Sequence, residues 1–462
     1  MSRDPREPKS TGAPSRRAFL RASVGASAGA AAACVSSGAP PEPVEAPAAQ
    51  RQNVLGLKVD PIPRPKVAVI GTGARGQVLV RLLARLEVDI VALCDVDAQA
   101  LAAGTKLVTD AGRPAPQGFG EGGDEDYLRM LDALLTADGV GVDLAIIATP
   151  WRWHVPQALA AMERGVHVGV EVPVAYTLED CWRIVDAAER ERVHCMMLEN
   201  VCYGREEMMA LNLCRAGLLG ELTHGEGAYI HNLSAQLGSG VSEGLWRPAH
   251  HLARNGNLYP THGLGPIAQY MGVHAGDRLA TLVSMSSPAR GRRAHAERAL
   301  GADAPEAKLD FICGDINTSV LQTALGRTIV VQHDTTTPRP YTRLNHIQGT
   351  RGTLRGFPGR IHVVDRSPEH AWEPLDAYQD EFDHPVWKRL GPEALGQANT
   401  HGGMDFVMLA RLVECLVAGE ALDMSVYDGV AWSCVSPLSE QSVAHGGAPV
   451  AVPDFTRGAW RG

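Results

Sequence analysis

The sequence predicts an α/β protein with two folded parts, a parallel sheet followed by an α+β domain with an open, mainly antiparallel sheet. Three observations predict it. A glycine-rich strand–turn–helix stretch begins at residue 66, apolar strands and helical segments alternate from there to about residue 200, and the pattern changes beyond Tyr203. Alternation of strands and helices is typical of a parallel sheet covered by helices on both faces.

The glycine-rich stretch is Gly71-Thr-Gly-Ala-Arg-Gly76, directly after the apolar run Val67 to Ile70. Glycines let the backbone approach a phosphate closely, and the free N–H groups of the helix that follows stabilise its charge. We therefore interpret Gly71, Gly73 and Gly76 as the pyrophosphate turn of a Rossmann dinucleotide-binding domain. A structural glycine turn is the alternative.

A second apolar strand, Asp89 to Cys94, ends in Asp95. An acidic residue about twenty positions beyond the glycines accepts the ribose hydroxyls in dinucleotide-binding folds. Asp97 adds negative charge that disfavours a 2′-phosphate. The sequence therefore predicts NAD rather than NADP.

The alternation of predicted strands and helices continues along the chain. The segment 126–135 has helical periodicity, and 142–148, 167–172 and 194–198 are short apolar runs typical of buried parallel strands. We place the Rossmann domain at 61–200.

Beyond it, runs such as 225–231, 328–333 and 344–348 alternate in polarity and contain aromatic and Thr residues. They predict the mainly antiparallel sheet of a substrate-binding α+β domain at 201–462. Helices predicted at 405–418 and 423–435 are expected to cover that sheet.

Composition excludes several classes of partner. The net charge of -9 argues against nucleic acid, and the nine cysteines show no CxxC pair. The seventeen histidines lack the spacing of a zinc site, so no metal is predicted. No internal apolar run is long enough for a transmembrane span.

The N-terminus predicts export. Ser15-Arg16-Arg17-Ala18-Phe19-Leu20 precedes a weakly apolar, Ala-rich run, as in a twin-arginine signal, which we assign to 1–34. A disordered basic tail is the alternative. Cys34 is a candidate lipoprotein cysteine, although the usual branched residue three positions before it is absent. Residues 35–60, rich in Pro and Ala, are predicted to form a linker, and the product is expected to be periplasmic or secreted.

The second domain contains one candidate for acid–base chemistry, Tyr259-Pro-Thr-His262. Proline stiffens this stretch and the glycines after it indicate a tight turn, so Tyr259 and His262 can be displayed together. Histidine exchanges protons near neutral pH. The alternative is a structural histidine at a helix start.

Taken in order, the stretches GTGARG, ATPWRWH, EVPVAYTLEDCW, CMMLENVCYGR, YPTHGLGP, DTTTPRPY, HGGMDF and PDFTRGAW resemble glycoside hydrolase family 109. That family lies within the Gfo/Idh/MocA group of NAD(P)-dependent oxidoreductase-like proteins. The resemblance covers nearly all of the chain after the linker. It implies a retaining α-N-acetylgalactosaminidase with a bound, recycled NAD, and open sheets in this group often pair into homodimers.

The resemblance also implies site residues. Its cofactor-binding positions are Ala74, Arg75, Asp95, Trp151, His154, Glu171, Val172 and Asn200, in addition to the three glycines. Its sugar-binding positions are Tyr229, Arg247, Tyr259, His262 and Tyr341, with His262 as general acid–base and Tyr259 as sugar contact or proton partner. From the residues alone, Trp151 is equally a core aromatic, His154 and Glu171 are equally caps, and Tyr203 is a weaker candidate.

The reaction implied by the family begins with oxidation of the sugar at C3 by bound NAD, which acidifies C2–H. Deprotonation, elimination of the C1 substituent, addition of water and re-reduction follow. Sugar dehydrogenases of the wider group carry Glu-Lys-Pro where this chain has Glu171-Val172-Pro173. A net NAD-dependent oxidoreductase acting on a sugar or amino sugar remains the alternative, and an exported sugar-binding protein with a vestigial dinucleotide is a third.

Overall fold

The computed structural model describes residues 52–135, 141–397 and 401–462. The predicted signal region, with Cys34, lies outside the described residues, as does most of the predicted linker. The last part of that linker is packed. Val54 and Leu57 are buried, and the Val54 N–H donates to the Tyr427 hydroxyl at 3.0 Å. The linker therefore ends before residue 60, because these apolar side chains have a core to join.

The first sheet is parallel throughout, with six strands in the order β3-β2-β1-β4-β5-β6. The glycine turn follows the central strand β1, so its neighbours on both sides end at the same edge. The strands of this sheet are β1 (Lys66–Ile70), β2 (Asp89–Cys94), β3 (Gln117–Phe119), β4 (Leu144–Ile147), β5 (His167–Val170) and β6 (Cys195–Met197).

Helices cover both faces of this sheet, as the alternating sequence pattern predicts. Thr177 caps the last of them, its side chain accepting the Asp180 N–H at 3.1 Å. These helices are α1 (Ala74–Leu83), α2 (Ala98–Asp110), α3 (Asp126–Leu134), α4 (His154–Met162) and α5 (Leu178–Glu191).

The second sheet has nine strands in the order β14-β13-β12-β11-β7-β10-β9-β8-β15. All neighbours are antiparallel except β7 and β10. The predicted fold class is confirmed. The strands are β7 (Leu222–Ile230), β8 (Leu279–Ser286), β9 (Ile316–Thr323), β10 (Thr328–Asp334), β11 (His346–Gly349), β12 (Gly352–Arg355), β13 (Arg360–Val363), β14 (Glu373–Pro374) and β15 (Val450–Ala451).

Ten helices are described in the second part of the chain. They are α6 (Arg205–Arg215), α7 (Ser234–Leu237), α8 (Arg247–Ala253), α9 (Thr261–Tyr270), α10 (Gly291–Leu300), α11 (Gln379–Phe382), α12 (Pro385–Leu395), α13 (Met404–Ala418), α14 (Val426–Ser433) and α15 (Val435–Ala444).

The expected position of the two late helices is wrong. Helix α13 packs on α1, α12 and the 3-10 turn Asn200–Tyr203, and α14 packs on α5, β6 and α9. The helix that follows them, α15, packs on β8 of the second sheet. The reason is the composition of α13, which is buried on nearly every side. A helix that is apolar all round requires neighbours on all sides rather than one sheet face.

Candidate active site

The glycine turn has the shape that a phosphate-binding turn requires. Gly71 has φ +90°, and a Cβ there would stand 2.7 Å from the Ala148 carbonyl oxygen. A Cβ on Gly76 would stand 1.9 Å from the Gly71 oxygen. Helix α1 begins at Ala74, after Gly73, and has no side-chain cap at its N-terminus. Its first N–H groups are therefore available to an anion.

Asp95, the residue after β2, holds the glycine turn through a hydrogen bond to its backbone. Its Oδ2 accepts the Thr72 N–H at 2.6 Å, and its Oδ1 accepts the Asp97 N–H at 2.9 Å. Asp97 in turn caps α2 through the N–H groups of Gln99 and Ala100. The two acidic residues thus lie together at the strand end, where the sequence predicts the ribose contact.

Arg75 is paired with two carboxylates. Its Nε donates to Glu171 at 2.7 Å, and its Nη1 and Nη2 donate to the two oxygens of Asp405 at 3.0 Å each. Burial lowers the pKa of Arg75, but the two carboxylates raise it more, so the guanidinium stays charged. Arg75 acts here as a brace between the start of α1, the end of β5 and α13.

Asp405 is the residue that sequence reasoning missed on this side. It is fully buried and also accepts from Asn200 Nδ2 at 2.7 Å and contacts His401 Nδ1 at 2.7 Å. Burial raises its pKa, yet the bonds from His401 and Arg75 bring it well below the usual range. The HGGMDF motif contains this Asp, but nothing local indicates its partners.

These residues fit a bound dinucleotide. The Asn200 Oδ1 is buried and has no hydrogen-bond partner among the described residues, and an unpaired buried carbonyl needs a donor from a ligand or water. The glycine turn and Asp95 supply the rest of the cradle along the same edge.

The ends of β4 and β5 are held by His154. Its ring nitrogens lie 2.7 Å from the Pro173 carbonyl and 2.8 Å from the Thr149 carbonyl. Burial lowers its pKa more than these two acceptors raise it. Neutral imidazole carries one N–H, so one ring nitrogen donates to one of these carbonyls and the other only lies close to the second. His154 thereby joins the turns that follow β4 and β5. Val172 is buried and precedes a cis proline.

A cluster of aromatic rings joins the two domains. The Tyr259 ring lies 4.7 Å from the Tyr229 ring, 4.9 Å from the His262 ring and 6.0 Å from the Trp151 ring, centroid to centroid. Trp151 belongs to the cofactor edge and the others to the predicted sugar side. Burial raises the pKa of Tyr229 and of Tyr259, so both phenols are neutral donors at physiological pH.

Arg247, at the start of α8, lies against this cluster. Its guanidinium carbon is 4.8 Å from the Tyr259 ring centre and 5.3 Å from that of Trp151. Nη1 donates to Glu243 at 2.6 Å, whereas Nε and Nη2 are buried without a hydrogen-bond partner among the described residues. Burial lowers the pKa of Arg247, but Glu243 and the tyrosines raise it more. Arg247 is thus a charged side chain with two unused donors.

His262 stands on the first turn of α9 and has an acidic partner. Its Nδ1 is 2.7 Å from Oε1 of Glu199, a carboxylate with no exposed surface. Glu199 follows β6 directly and precedes Asn200, so one strand end serves both sides of the pocket. Nδ1 makes no hydrogen bond with the described residues, so this contact acts through charge. A carboxylate beside Nδ1 stabilises the imidazolium that forms when Nε2 takes a proton. The CMMLENVCYGR stretch contains this Glu, which sequence reasoning did not select.

Tyr341 is at the margin of the cluster. It is 41% exposed, and its ring lies 5.1 Å from that of His231, whose Nδ1 is 3.1 Å from the Tyr229 hydroxyl. Tyr203 is buried with its hydroxyl unpaired among the described residues. The structure therefore brings together four of the predicted sugar-binding residues, Tyr229, Tyr259, His262 and Arg247. Tyr341 reaches this group through His231.

Within the described part of the chain, no group of His, Cys, Asp and Glu side chains could hold a metal ion. No helix described there has the length and apolarity needed to cross a bilayer.

Comparison with known proteins gives the family. Residues 203–462 match the family model "Glycosyl hydrolase 109, C-terminal domain", and residues 65–199 match "Oxidoreductase family, NAD-binding Rossmann fold". The chain belongs to glycosyl hydrolase family 109. The first match alone covers more than half of it.

Relatives in this family are similar over nearly their whole length. Glycosyl hydrolase family 109 protein 2 of Shewanella sp. strain ANA-3 is 49% identical over 452 residues, which cover 96% of this chain and 97% of the relative. The alpha-N-acetylgalactosaminidase of Shewanella oneidensis is 47% identical over 451 residues, with 96% of each chain covered. The predicted enzyme class, an NAD-dependent glycoside hydrolase, is confirmed.

Solved structures share the fold. Levoglucosan dehydrogenase in complex with NADH and L-sorbose superimposes with a TM-score of 0.66 at 18% identity, covering 85% of this chain and 100% of that one. At that identity the likeness concerns the fold, a Rossmann NAD-binding domain followed by a mainly antiparallel sheet.

Proposed function

We propose that this family 109 enzyme releases terminal α-N-acetylgalactosamine from glycans and keeps one NAD through repeated turnovers. The observation that carries the proposal is one group of neighbouring side chains, in which the His262–Glu199 pair and the unpaired donors of Arg247 adjoin the dinucleotide edge. A relative named alpha-N-acetylgalactosaminidase, 47% identical to this chain, supports the choice of sugar.

Each residue then has a task. When bound, NAD takes a hydride from the sugar and returns it, so that the net reaction is hydrolysis. His262 exchanges a proton with the substrate at Nε2 while Glu199 stabilises the charged ring. Arg247 offers its two free nitrogens to a hydroxyl or to the acetamido carbonyl, and neutral Tyr259 and Tyr229 donate from their hydroxyls.

The cofactor edge favours a nicotinamide that stays. Asp405 accepts from Arg75 and from the Asn200 amide nitrogen, which gives a fixed frame. Val172 supplies no proton-transfer group where related dehydrogenases have a lysine. Export by the twin-arginine route, which carries folded proteins, suits a protein loaded with its cofactor before it leaves the cytoplasm.

The test uses the protein as purified. We expect it to hydrolyse aryl α-N-acetylgalactosaminide for many turnovers per bound nucleotide, without added NAD and without build-up of NADH. Turnover in heavy water should place deuterium at C2 of the released sugar. Activity towards other aryl N-acetylhexosaminides in the same assay compares sugars and anomers.

Two variants make the test specific. His262→Ala should lower kcat by roughly 10²- to 10⁴-fold, the usual contribution of a general acid–base. His370→Ala, which changes a histidine with 91% of its side chain exposed, is the matched control and should be fully active. NADH formed in proportion to free sugar would instead indicate a net oxidoreductase, and no C2 deuterium would contradict the elimination route.

A further inference from the structure

A second polar cavity lies outside the pocket described above, between α7, α8 and α10. Its walls include Arg292, His251, Cys313, Asp315 and Leu237. Its volume is about 10 Å³, which is room for about one water-sized ligand. The family motifs quoted from the sequence do not include Arg292.

Arg292 is a buried cation with no hydrogen-bonded or ion-paired carboxylate among the described residues, and the charge of Glu306 offsets the effect of its burial only in part. The residue is 5% exposed. Nε is buried and unpaired, and the nearest ring, that of Phe311, is 5.8 Å from the guanidinium carbon. Burial lowers the pKa of Arg292. An unpaired buried charge is costly, so a buried guanidinium normally has a partner.

The other buried polar groups of the cavity do not supply that partner. Both oxygens of Asp315 are occupied, because they accept the N–H groups of Arg290 and Gly291 and the Thr336 hydroxyl. Burial raises the pKa of the Cys313 thiol to about 12, which keeps it neutral.

Two histidines beside the cavity also have ring nitrogens without hydrogen-bond partners among the described residues. His251 is 2% exposed with an unpaired Nε2, and its ring is 6.1 Å from that of His333, whose two nitrogens are also buried and unpaired within the described residues. Neutral imidazole has one N–H donor. The cavity thus adjoins several unused donors, and neither of its two carboxylates bonds Arg292. Asp315 accepts from its own neighbours, and Asp310, whose side chain is 93% exposed, pairs with Arg293.

We propose that this cavity binds a small inorganic anion of halide size, chloride being the obvious case. The anion would neutralise Arg292 and accept a hydrogen bond from its guanidinium. The size of the cavity excludes a nucleotide or a sugar. Gly238 leaves space for the guanidinium, because a Cβ at this position would stand 2.6 Å from Nη2.

The test compares chloride with gluconate, a larger anion, at equal ionic strength. We expect chloride and bromide to raise the melting temperature of the wild-type protein by roughly 2 to 5 °C at saturation, with gluconate as baseline. Arg292→Met should abolish the difference, whereas Arg298→Met, which changes an exposed arginine of α10 outside the cavity lining, should keep it. Gly238→Ala, which displaces the guanidinium, should weaken it at least tenfold in apparent affinity.

Crystals grown with bromide provide an independent measurement on the unmodified protein. An anomalous peak within 4 Å of the Arg292 guanidinium is expected. The proposal is overturned if chloride and gluconate give the same melting temperature, if Arg298→Met abolishes the effect as Arg292→Met does, or if bromide appears elsewhere only. A rise with phosphate or sulfate but not with halides would overturn the assignment to a halide-sized ion.

Discussion

The two sides of the pocket differ in how their buried polar groups are satisfied. On the cofactor side, Arg75 meets two carboxylates, and Asp405 also receives bonds from Asn200 and His401. On the sugar side, Arg247 keeps two buried nitrogens without partners among the described residues. The Asn200 Oδ1 is the one unpaired atom described in the first group.

This difference means that one side of the site has a preformed geometry, whereas the other side keeps hydrogen bonds available to a ligand. A group that is already paired gains little from a ligand, so the cofactor side holds a fixed form before anything binds. An unpaired buried donor gains a full hydrogen bond when a ligand arrives. The first arrangement accords with the retained cofactor proposed above, and the second accords with the proposed substrate, which would bind and leave in each turnover.

Asp405→Asn breaks the paired side and should have the largest effect. It leaves Arg75 with one carboxylate and disturbs the bond from Asn200. Removing one partner of a buried ion pair costs about 3–5 kcal/mol of unfolding free energy, which urea denaturation measures. Glu414→Gln, on the same helix but in a partly exposed pair with Arg411, should cost about 1 kcal/mol or less. If both variants lost the same unfolding free energy, the Arg75–Asp405 pair would contribute no more than a surface ion pair.

Arg247→Met tests the unpaired side and should separate activity from stability. We expect kcat/KM to fall at least about tenfold, because a hydrogen bond to a charged donor contributes about 1.5–3 kcal/mol. The free energy of unfolding should stay the same or rise, since an incompletely paired buried cation is removed. Denaturation and steady-state kinetics on the same preparation give both quantities. If Arg247→Met lowered the unfolding free energy as much as Asp405→Asn, the two sides of the site would not differ in how they contribute to stability.

Mild acid should weaken the sugar side first. Burial lowers the pKa of His333, which pairs with Tyr229 in the register of β10 and β7, to about 3. Because the folded-state value is depressed, the stabilisation is complete above the unfolded pKa of about 6.5 and is lost as the pH falls towards 3. Near pH 5 the loss is about 2 kcal/mol.

The carboxylate on the other side responds at lower pH. The pKa of Asp405 is depressed below its ordinary value, so its contribution is present above about pH 4 and is lost only below that. Unfolding free energies at pH 7 and pH 5 should therefore differ less in His333→Asn than in the wild type. If the unfolding free energy changed between pH 7 and pH 5 by the same amount in this variant as in the wild type, His333 would not be the cause of the change.

Local patterns predicted the first sheet closely and the site only in part. Asp89–Cys94 is a strand as expected, because an apolar run between turns is a local signal. The bond between Arg75 and Asp405 joins residues 330 positions apart, and no periodicity reports such a distance. For the same reason the sequence did not show that Glu199 would meet His262, or that both ring nitrogens of His154 would lie close to backbone carbonyls.

The contact between Arg75 and Asp405 also has a consequence for biosynthesis. When the first two hundred residues have left the ribosome, the turn for the dinucleotide exists as sequence, but the carboxylate that receives both Arg75 and Asn200 has not been translated. Domains fold as they emerge, N-terminal first. Helix α13 supplies that carboxylate, so a chain terminated before residue 404 would lack the group that Arg75 and Asn200 bond.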